Sequence, residues 1–290
     1  MSTPASRTVR EGSDTFPVDT TPATAAATYS HGHHASVLRS HRWRTAENSA
    51  AHLLPHLRPG LRLLDVGSGA GTITADLAAL LAPGEVVGLD SAAAAVEATT
   101  ALAAERGLTN LRAVQGSAYD LAPAGGGFDV VHAHQVLQHL ADPVAALRAM
   151  AAACGPDGLV AVRDADYAAM TWYPEDAGLS RWLELYRAVA RANGGEPDAG
   201  RRLAGWTRDA GLRTVSASAS VWCFATPEDL GWWTTTWAER LTASAFGRQG
   251  VELGLTDADE LDRLAAAWRA WGQRDGAWFA VLHGDLLARP

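Results

Sequence analysis

The stretch that decides the fold is Leu64-Asp65-Val66-Gly67-Ser68-Gly69-Ala70-Gly71-Thr72. The apolar run from Leu61 to Val66 predicts a short strand, and the alternating glycines after it predict a tight turn into a helix. Because glycine has no Cβ, such a loop lets the backbone and the first helical amides approach a ligand closely. The spacing is G-x-G-x-G rather than G-x-G-x-x-G, because position 72 is threonine. This spacing disfavours a pyrophosphate cradle.

Short apolar runs alternate with Ala- and Leu-rich stretches of helical spacing through the first half of the chain. This alternation predicts an α/β fold with crossover helices, a parallel sheet and right-handed, doubly wound connections. Two more strand candidates close the chain and are separated by a helical region at about 227–272. The seven predicted strands are 61–66, 85–89, 111–115, 128–133, 159–164, 214–224 and 277–287.

Changes in composition divide the chain into four segments. Residues 1–28 are rich in Ser, Thr, Pro and Ala and are expected to form a flexible N-terminal arm. Residues 29–60 have helical spacing and predict an N-terminal helical lid, and residues 61–165 form the predicted ligand-binding core. Residues 166–290 contain ten of the eleven tryptophans and predict a helical insertion together with the last two strands.

Charge, cysteine content and apolar run length exclude several classes of function. The net charge is −8 without a basic block, so nucleic acid is not an expected partner. Cys154 and Cys223 form no C-x-x-C pair, and no apolar run reaches the roughly 20 residues of a membrane helix. We therefore expect a cytoplasmic protein without a membrane partner, and the sequence leaves a homodimer open. The histidines of 31–34 lack an accompanying carboxylate or cysteine at ligand spacing, so no metal is expected.

Two acidic residues flank the glycine loop. Asp90 ends the second predicted strand, about 20 residues after the loop, where a carboxylate can accept hydrogen bonds from both hydroxyls of a ribose. Asp65 stands two residues before the first glycine and can orient the loop or meet a cationic amino group through water. Together with the glycines, these positions favour a nucleoside-containing ligand.

Five segments resemble the motifs of class I S-adenosylmethionine-dependent methyltransferases, in particular the ubiquinone/menaquinone-biosynthesis-type small-molecule methyltransferases. They are 63–71, 87–91, 115–118, 128–139 and 155–158. The resemblance covers about 29–165. It implies a Rossmann-like fold whose mostly parallel seven-stranded sheet has an antiparallel last strand, with S-adenosyl-L-methionine as cofactor and S-adenosyl-L-homocysteine as product.

The resemblance also implies roles for individual residues around the cofactor. Those implied at the methionine moiety, the ribose and the adenine are Asp65, Gly67, Ser68, Gly69, Asp90, Ser91, Gly116, Ser117, Ala118, His134 and Gln135. In the lid, Tyr29, His34 and Arg44 are candidates to close over the sulfonium, and Arg44 could pair with the cofactor's carboxylate through its planar fork. A surface charge is the alternative reading of Arg44.

The acceptor side is less defined by the sequence. Candidate catalytic residues are His139, one helical turn after the fourth strand, and Asp166 and Tyr167 at the carboxyl end of the fifth. A hydrogen-bonded core histidine is the alternative for His139, and helix capping is the alternative for Asp166. The Trp-rich region, through Trp172, Tyr173, Trp182, Trp206, Trp232 and Trp233, could wall an apolar or aromatic, secondary-metabolite-like acceptor, with core packing as the alternative for most of these residues.

Three other functions stay open at this level. The same fold and cofactor could serve a cyclisation, rearrangement or decarboxylation without methyl transfer. A nicotinamide-dependent oxidoreductase would need the pyrophosphate loop that Thr72 interrupts. A non-catalytic module would bind the cofactor without turning over an acceptor. Methyl transfer to a small molecule is the function that the motifs favour.

Overall fold

An eight-stranded sheet organises the computed structural model, which describes residues 43–290. The strands are β1 (Leu63–Val66), β2 (Val86–Asp90), β3 (Leu111–Gln115), β4 (Phe128–His134), β5 (Cys154–Ala165), β6 (Thr171–Tyr173), β7 (Arg213–Phe224) and β8 (Trp278–Arg289). Their order is β3-β2-β1-β4-β5-β8-β6, and β7 pairs with the remaining side of β8. Strands β1 to β5 are parallel, whereas β8 is antiparallel to each of its partners.

The predicted fold class is confirmed, with one correction to the strand count. The described residues contain eight strands rather than seven, because β6 adds a short edge beside residues 278–280 of β8. Strand β6 has three residues, which alternate between exposed and half-buried. A strand of this length is too short to show a periodic pattern in the sequence.

Nine helices connect or cover the strands in the described part of the chain. They are α1 (Ala46–Ser49), α2 (Thr72–Leu81), α3 (Ala93–Glu105), α4 (Pro143–Ala153), α5 (Ala177–Ala192), α6 (Leu203–Asp209), α7 (Pro227–Ala243), α8 (Ala245–Glu252) and α9 (Ala258–Trp271). The helical pattern predicted up to residue 57 is interrupted. Helix α1 ends at Ser49, and only a single 3-10 turn follows at 54–56, where Pro55 supplies no backbone N–H. None of the helices within 43–290 combines the length and the apolar character needed to cross a lipid bilayer.

The tryptophan-rich second half forms an apolar core of its own. Trp182, Trp237 and Trp268 are fully buried there, with ring centroids of Trp182 4.4 Å from Trp237 and 4.8 Å from Trp268. Helices α5, α7 and α9 supply these rings and pack together. Most of the tryptophans therefore stabilise the fold by core packing, which was the alternative to a role in acceptor binding.

The topology fixes where a ligand can bind. The strand order reverses direction between β1 and β4, because the chain moves outward from β1 to β3 and then returns to the other side of β1. In open parallel sheets, ligands bind at the carboxyl ends of the strands beside such a switch point. The glycine loop after β1 lies at this edge. The segment boundaries proposed from the sequence remain a prediction.

Candidate functional site

One cavity of about 520 Å³ opens at the carboxyl ends of the central strands. One part, which we call the glycine-loop half, is lined by the segments that follow β1, β2 and β3. The other, the aromatic half, is lined by Trp43, Tyr167, Met170, Trp222, Trp232, Trp233 and Arg240. Tyr167 and Met170 of the aromatic half follow β5, which lies on the other side of β1 from β2 and β3.

The glycine loop has a backbone conformation that other residues rarely adopt. Gly67, Gly69 and Gly71 have φ values of +78°, +56° and +79°, in the left-handed region. A Cβ built on Gly67 would stand 2.4 Å from Cγ2 of Val136, so no side chain fits there. The loop therefore presents bare backbone to the cavity.

Asp90 joins the second strand to this loop. Its Oδ2 accepts a hydrogen bond from the backbone N–H of Gly69 at 2.9 Å, and its Oδ1 accepts one from Ala92 at 3.0 Å. Ser91, the next residue, also lines the cavity, and its carbonyl accepts a hydrogen bond from the Gln115 side chain at 2.9 Å. Asp90 thus lies at the end of β2 beside the glycine loop, and its contact with a ribose stays a prediction.

Asp65 supports the loop from beneath. The carboxylate is buried, with Oδ2 accepting from the Thr74 hydroxyl at 2.6 Å and Oδ1 lying 2.7 Å from Nδ1 of His132. Both oxygens therefore have partners within the protein, which fits the orienting role expected for Asp65.

The segment after β3 completes the glycine-loop half. Gly116, Ser117 and Ala118 line the cavity, and their place at the adenine edge stays a prediction. Tyr119 lines it as well and was not expected. Its hydroxyl accepts a hydrogen bond from the backbone N–H of Asp142 at 3.1 Å, which ties this wall to the start of α4.

Gln135 lines the cavity and lies in the middle of a chain of hydrogen bonds. Its φ is +53°, a strained value for a residue with a side chain, and such strain often marks a functional position. Its Oε1 accepts from Nη2 of Arg44 at 2.8 Å, and its Nε2 lies 2.8 Å from Nε2 of His283. Nδ1 of His283 in turn lies 3.1 Å from the carbonyl of Val281. This arrangement fits a neutral His283 with its proton on Nδ1, and it fixes the position of the Arg44 guanidinium.

His134 lies beside this chain and is held neutral. Burial, followed by the charges of Arg163 and Arg44, lowers its pKa well below the usual value. Neither ring nitrogen has a hydrogen-bond partner among the described residues, although the side chain is buried in the cavity wall. A neutral imidazole that faces the cavity can still donate to, or accept from, a ligand.

His139 lines the cavity but is a poor base. Burial, followed by the charges of Arg44 and Arg240, lowers its pKa to about 3. Its Nε2 lies 3.1 Å from Nε2 of Gln138, whose amide is placed to donate to it. The lone pair that would accept a substrate proton is therefore already engaged.

Tyr167 and Asp166, adjacent in sequence, have separate environments. Tyr167 lines the aromatic half and stacks on Tyr186 with a centroid distance of 4.1 Å, and burial raises its pKa. Asp166 is not among the cavity-lining residues. Its carboxylate instead accepts two hydrogen bonds from Arg201, at 2.6 and 2.8 Å. The expectation of an acceptor-facing Asp166 is thus corrected, because an ion pair with a residue far along the chain holds it elsewhere.

The aromatic half agrees only partly with the sequence analysis. Trp232 and Trp233 line it, whereas Trp172, Tyr173, Trp182 and Trp206 do not. Four residues of the aromatic half were not predicted from the sequence. They come from four separate places in the chain, namely the segment before α1, the turn after β5, strand β7 and helix α7, and only the fold brings them together. They are Trp43, Met170, Trp222 and Arg240. Tyr29 and His34, two further predicted cofactor residues, and the neighbouring His31 and His33 lie outside the described residues.

Comparisons with known proteins identify the family. A family model described as a methyltransferase domain matches residues 57–214. An uncharacterized methyltransferase of Schizosaccharomyces pombe is 33% identical over 271 residues, which cover 89% of this chain and 95% of that protein. The chain belongs to the methyltransferase domain family. It is an S-adenosylmethionine-dependent methyltransferase, as its motifs predicted.

Two further similarities concern parts of this methyltransferase. A ubiquinone biosynthesis O-methyltransferase of Cereibacter sphaeroides is 42% identical over 101 residues, covering 35% of this chain and 40% of that protein. The expected resemblance to that group is confirmed. A solved structure of geranyl diphosphate methyltransferase in complex with S-adenosylmethionine has a TM-score of 0.51 at 19% identity and covers 88% of each chain. At that identity, the likeness concerns the fold alone.

Proposed function

We propose that this methyltransferase binds S-adenosylmethionine in the glycine-loop half and methylates a small apolar or aromatic acceptor held in the aromatic half. The observation that carries the proposal is that both halves belong to one cavity of about 520 Å³. Small-molecule sites typically measure about 300–1,000 Å³ and combine apolar walls with a few fixed polar groups. The two walls of this cavity have that character.

The residues of the glycine-loop half fit the cofactor. At Gly67 an amino-acid tail would meet backbone alone, because a side chain there would collide with Cγ2 of Val136. Each oxygen of Asp90 accepts one backbone N–H, from Gly69 and Ala92, and a carboxylate has about four acceptor positions. Two positions therefore remain for the hydroxyls of a ribose, and Ser117 and Ala118 would border the adenine.

Arg44 is suited to hold the carboxylate of the same tail. A guanidinium forms two parallel hydrogen bonds to a carboxylate, provided that it is held in one orientation. The hydrogen bond to Gln135 and the Trp222 ring, whose centroid is 5.5 Å from Cζ of Arg44, supply that orientation. His134 and Gln135 would then lie beside the methionine backbone.

Catalysis by this chain rests on positioning. Bound S-adenosylmethionine supplies a methyl group that is already activated by the positive charge on its sulfur. The aromatic walls would exclude water and hold the acceptor atom in line, and such positioning can contribute on the order of 7–11 kcal/mol. His139, with its pKa lowered to about 3 and its Nε2 engaged, would act as a wall residue rather than as a proton acceptor.

The proposal is tested by incubating the enzyme with S-adenosylmethionine and three sets of acceptors: aromatic, isoprenoid and small polar compounds. We expect methylated aromatic or isoprenoid products, with one S-adenosylhomocysteine formed per methyl group, both measured by mass spectrometry. Methylation of the polar set alone would contradict the proposed acceptor class. An acceptor consumed without S-adenosylhomocysteine would instead indicate a non-methylating reaction.

A further inference from the structure

Strand β7 leaves a long edge of the sheet open. It has twelve residues and, among the strands of 43–290, pairs with β8 alone. Residues 213–219 and Val221 are exposed, so solvent reaches most of the strand. The backbone N–H and C=O groups that point away from β8 are therefore available to pair with another strand.

The edge of β7 lacks the protection that the other edges of the sheet have. Strand β3 has five residues and contains Arg112, whose guanidinium bonds to Glu85 and to the carbonyl of Ala124. Strand β6 has three residues. Short strands, charged side chains and proline are the usual protection of an edge against pairing with another chain. Residues 214–224 of β7 contain no charged residue and no proline.

The sequence of this edge reads the same in both directions. Residues 215–221 are Val-Ser-Ala-Ser-Ala-Ser-Val, with Ser218 at the centre. An antiparallel partner of the same sequence would place each serine opposite a serine and each alanine opposite an alanine, with Ser218 opposite its own copy. Val215 and Val221, exposed by 43% and 52%, would meet at both ends of this stretch. The edge is thus self-complementary, as the isologous contact of a two-fold dimer requires.

The same residues favour a second copy over an unrelated partner. A strand of unrelated sequence would gain the backbone hydrogen bonds of the edge, but it would not match the small side chains and the two valines. A second copy matches both, and it brings no charge to residues 214–224 although the whole chain carries −8. The alignment of β7 with β8 shifts between Thr214 and Ser216, so regular pairing is expected over residues 216–220.

We propose that two copies of this chain associate through β7, which pairs antiparallel with β7 of the other copy about a two-fold axis at Ser218. The two eight-stranded sheets then form one continuous sheet across the dimer. The inference is independent of the proposed function, because neither the cofactor nor the acceptor takes part in the contact. One strand pair is a smaller contact than a standard interface of about 1,600 Å², so we expect a dimer that dissociates on dilution.

The oligomeric state tests the association. Analytical ultracentrifugation of the full chain should show a monomer that converts to a dimer as the concentration rises from about 1 μM to about 1 mM, the range in which weak complexes assemble. A monomer at every concentration would overturn the proposal, including the case in which residues 1–42 occupy the edge instead.

Cysteine cross-linking tests the register. Opposing residues of an antiparallel pair have Cα atoms about 4.5–5.5 Å apart, within the range of a disulfide. In a Cys223→Ser background, which removes the exposed native thiol, Ser218→Cys should form a disulfide-linked dimer on oxidation with glutathione disulfide. Ser216→Cys is the matched control, because its two copies would stand four residues, about 13 Å, apart along the strands. Any other pattern of cross-linking, or none, would contradict the register.

Charge substitutions test the contact itself. Ala217→Lys combined with Ala219→Lys places like charges opposite each other twice, which should weaken dimerisation by about tenfold, and the corresponding pair of Glu substitutions should do the same. Mixing the two variants should restore the dimer, because each Lys then faces a Glu. Ala101→Lys combined with Ala104→Lys is the control, since it adds the same charge at exposed positions of α3. Thermal unfolding midpoints would show that each variant is folded. Undiminished dimerisation of the charged variants, or no gain on mixing them, would overturn the β7 contact.

Discussion

The two halves of the cavity are built from different parts of the chain. The glycine-loop half consists of backbone groups and short polar side chains from three consecutive strand ends, after β1, β2 and β3. The aromatic half consists of large side chains drawn from four separate regions, among them Trp43, Trp222 and Trp232. A ligand site made of local backbone can be found in a sequence, whereas a site made of distant side chains requires the fold.

The largest expected effect is on the glycine loop, at Gly67. Gly67→Ala places a Cβ 2.4 Å from Val136 in a left-handed conformation, so the loop must move and its amides must shift. Strain and overpacking of this kind cost a few kcal/mol, so the affinity for S-adenosylhomocysteine should fall by about 100-fold in calorimetry.

The control for this substitution is Gly60→Ala. Gly60 also has a left-handed φ, +92°, but an added Cβ would meet no atom within 4 Å. It should lose about 1–2 kcal/mol of unfolding free energy and bind the ligand normally. An equal affinity of Gly67→Ala and Gly60→Ala for S-adenosylhomocysteine would contradict the placement of the cofactor at the glycine loop.

The next effect is on the acidic partner of the loop. Asp90→Ala removes the carboxylate that accepts from Gly69 and that is placed to accept from a ribose. We expect a loss of affinity for S-adenosylhomocysteine of about 10- to 100-fold, as charge-assisted hydrogen bonds contribute roughly 1.5–3 kcal/mol each.

Asp129→Ala is the matched control for Asp90→Ala. Asp129 likewise accepts a hydrogen bond from a backbone N–H, that of Arg62 at 2.8 Å, but it lies at the amino end of β4. Its removal should leave cofactor affinity unchanged. Undiminished affinity in Asp90→Ala would count against the ribose assignment.

A smaller effect, on acceptor binding alone, is expected from a substitution in the aromatic half. Trp232→Ala removes a partly buried ring from the aromatic half, so KM for the acceptor should rise about tenfold while the affinity for S-adenosylhomocysteine stays the same. Trp172→Ala is the matched control, because Trp172 packs partly buried against the same core but does not line the cavity. A loss of cofactor affinity in Trp232→Ala would show that the halves are not separate.

The last and smallest effect on the cavity is expected at Asp164, a buried residue of β5, where stability rather than binding should change. Its Oδ1 accepts from the backbone N–H of Gln138 at 3.2 Å, its Oδ2 has no partner among the described residues, and burial raises its pKa to about 7. The folded state then holds a proton that the unfolded state releases above about pH 4. The unfolding free energy should therefore fall by a few kcal/mol between pH 4 and pH 7 and change little above.

Asp164→Asn should remove that pH dependence. Chemical denaturation at pH 5 and pH 8 should show the variant gaining stability relative to the wild type as pH rises. Parallel pH profiles for the two proteins would mean that Asp164 does not keep its proton in the folded state.

The parts of the fold that could be predicted from the sequence are those whose pattern lies within one short stretch of the chain. Strands β1 to β5, the glycine loop and Asp90 follow from patterns within a few residues, whereas β6 is too short to have a period. Asp166 was assigned to the acceptor because nothing near it in sequence indicates its partner, Arg201, which lies 35 residues away. Arg240 was missed because a single arginine on a helix gives no sign of facing a cavity.

The placement of the cofactor is decided by a crystal structure of the protein with S-adenosylhomocysteine. We expect the amino-acid tail of the ligand against the backbone of Gly67–Gly69 and both ribose hydroxyls within hydrogen-bond distance of the Asp90 carboxylate. Ligand bound among Trp222, Trp232 and Trp233 instead, with the glycine loop empty, would contradict it.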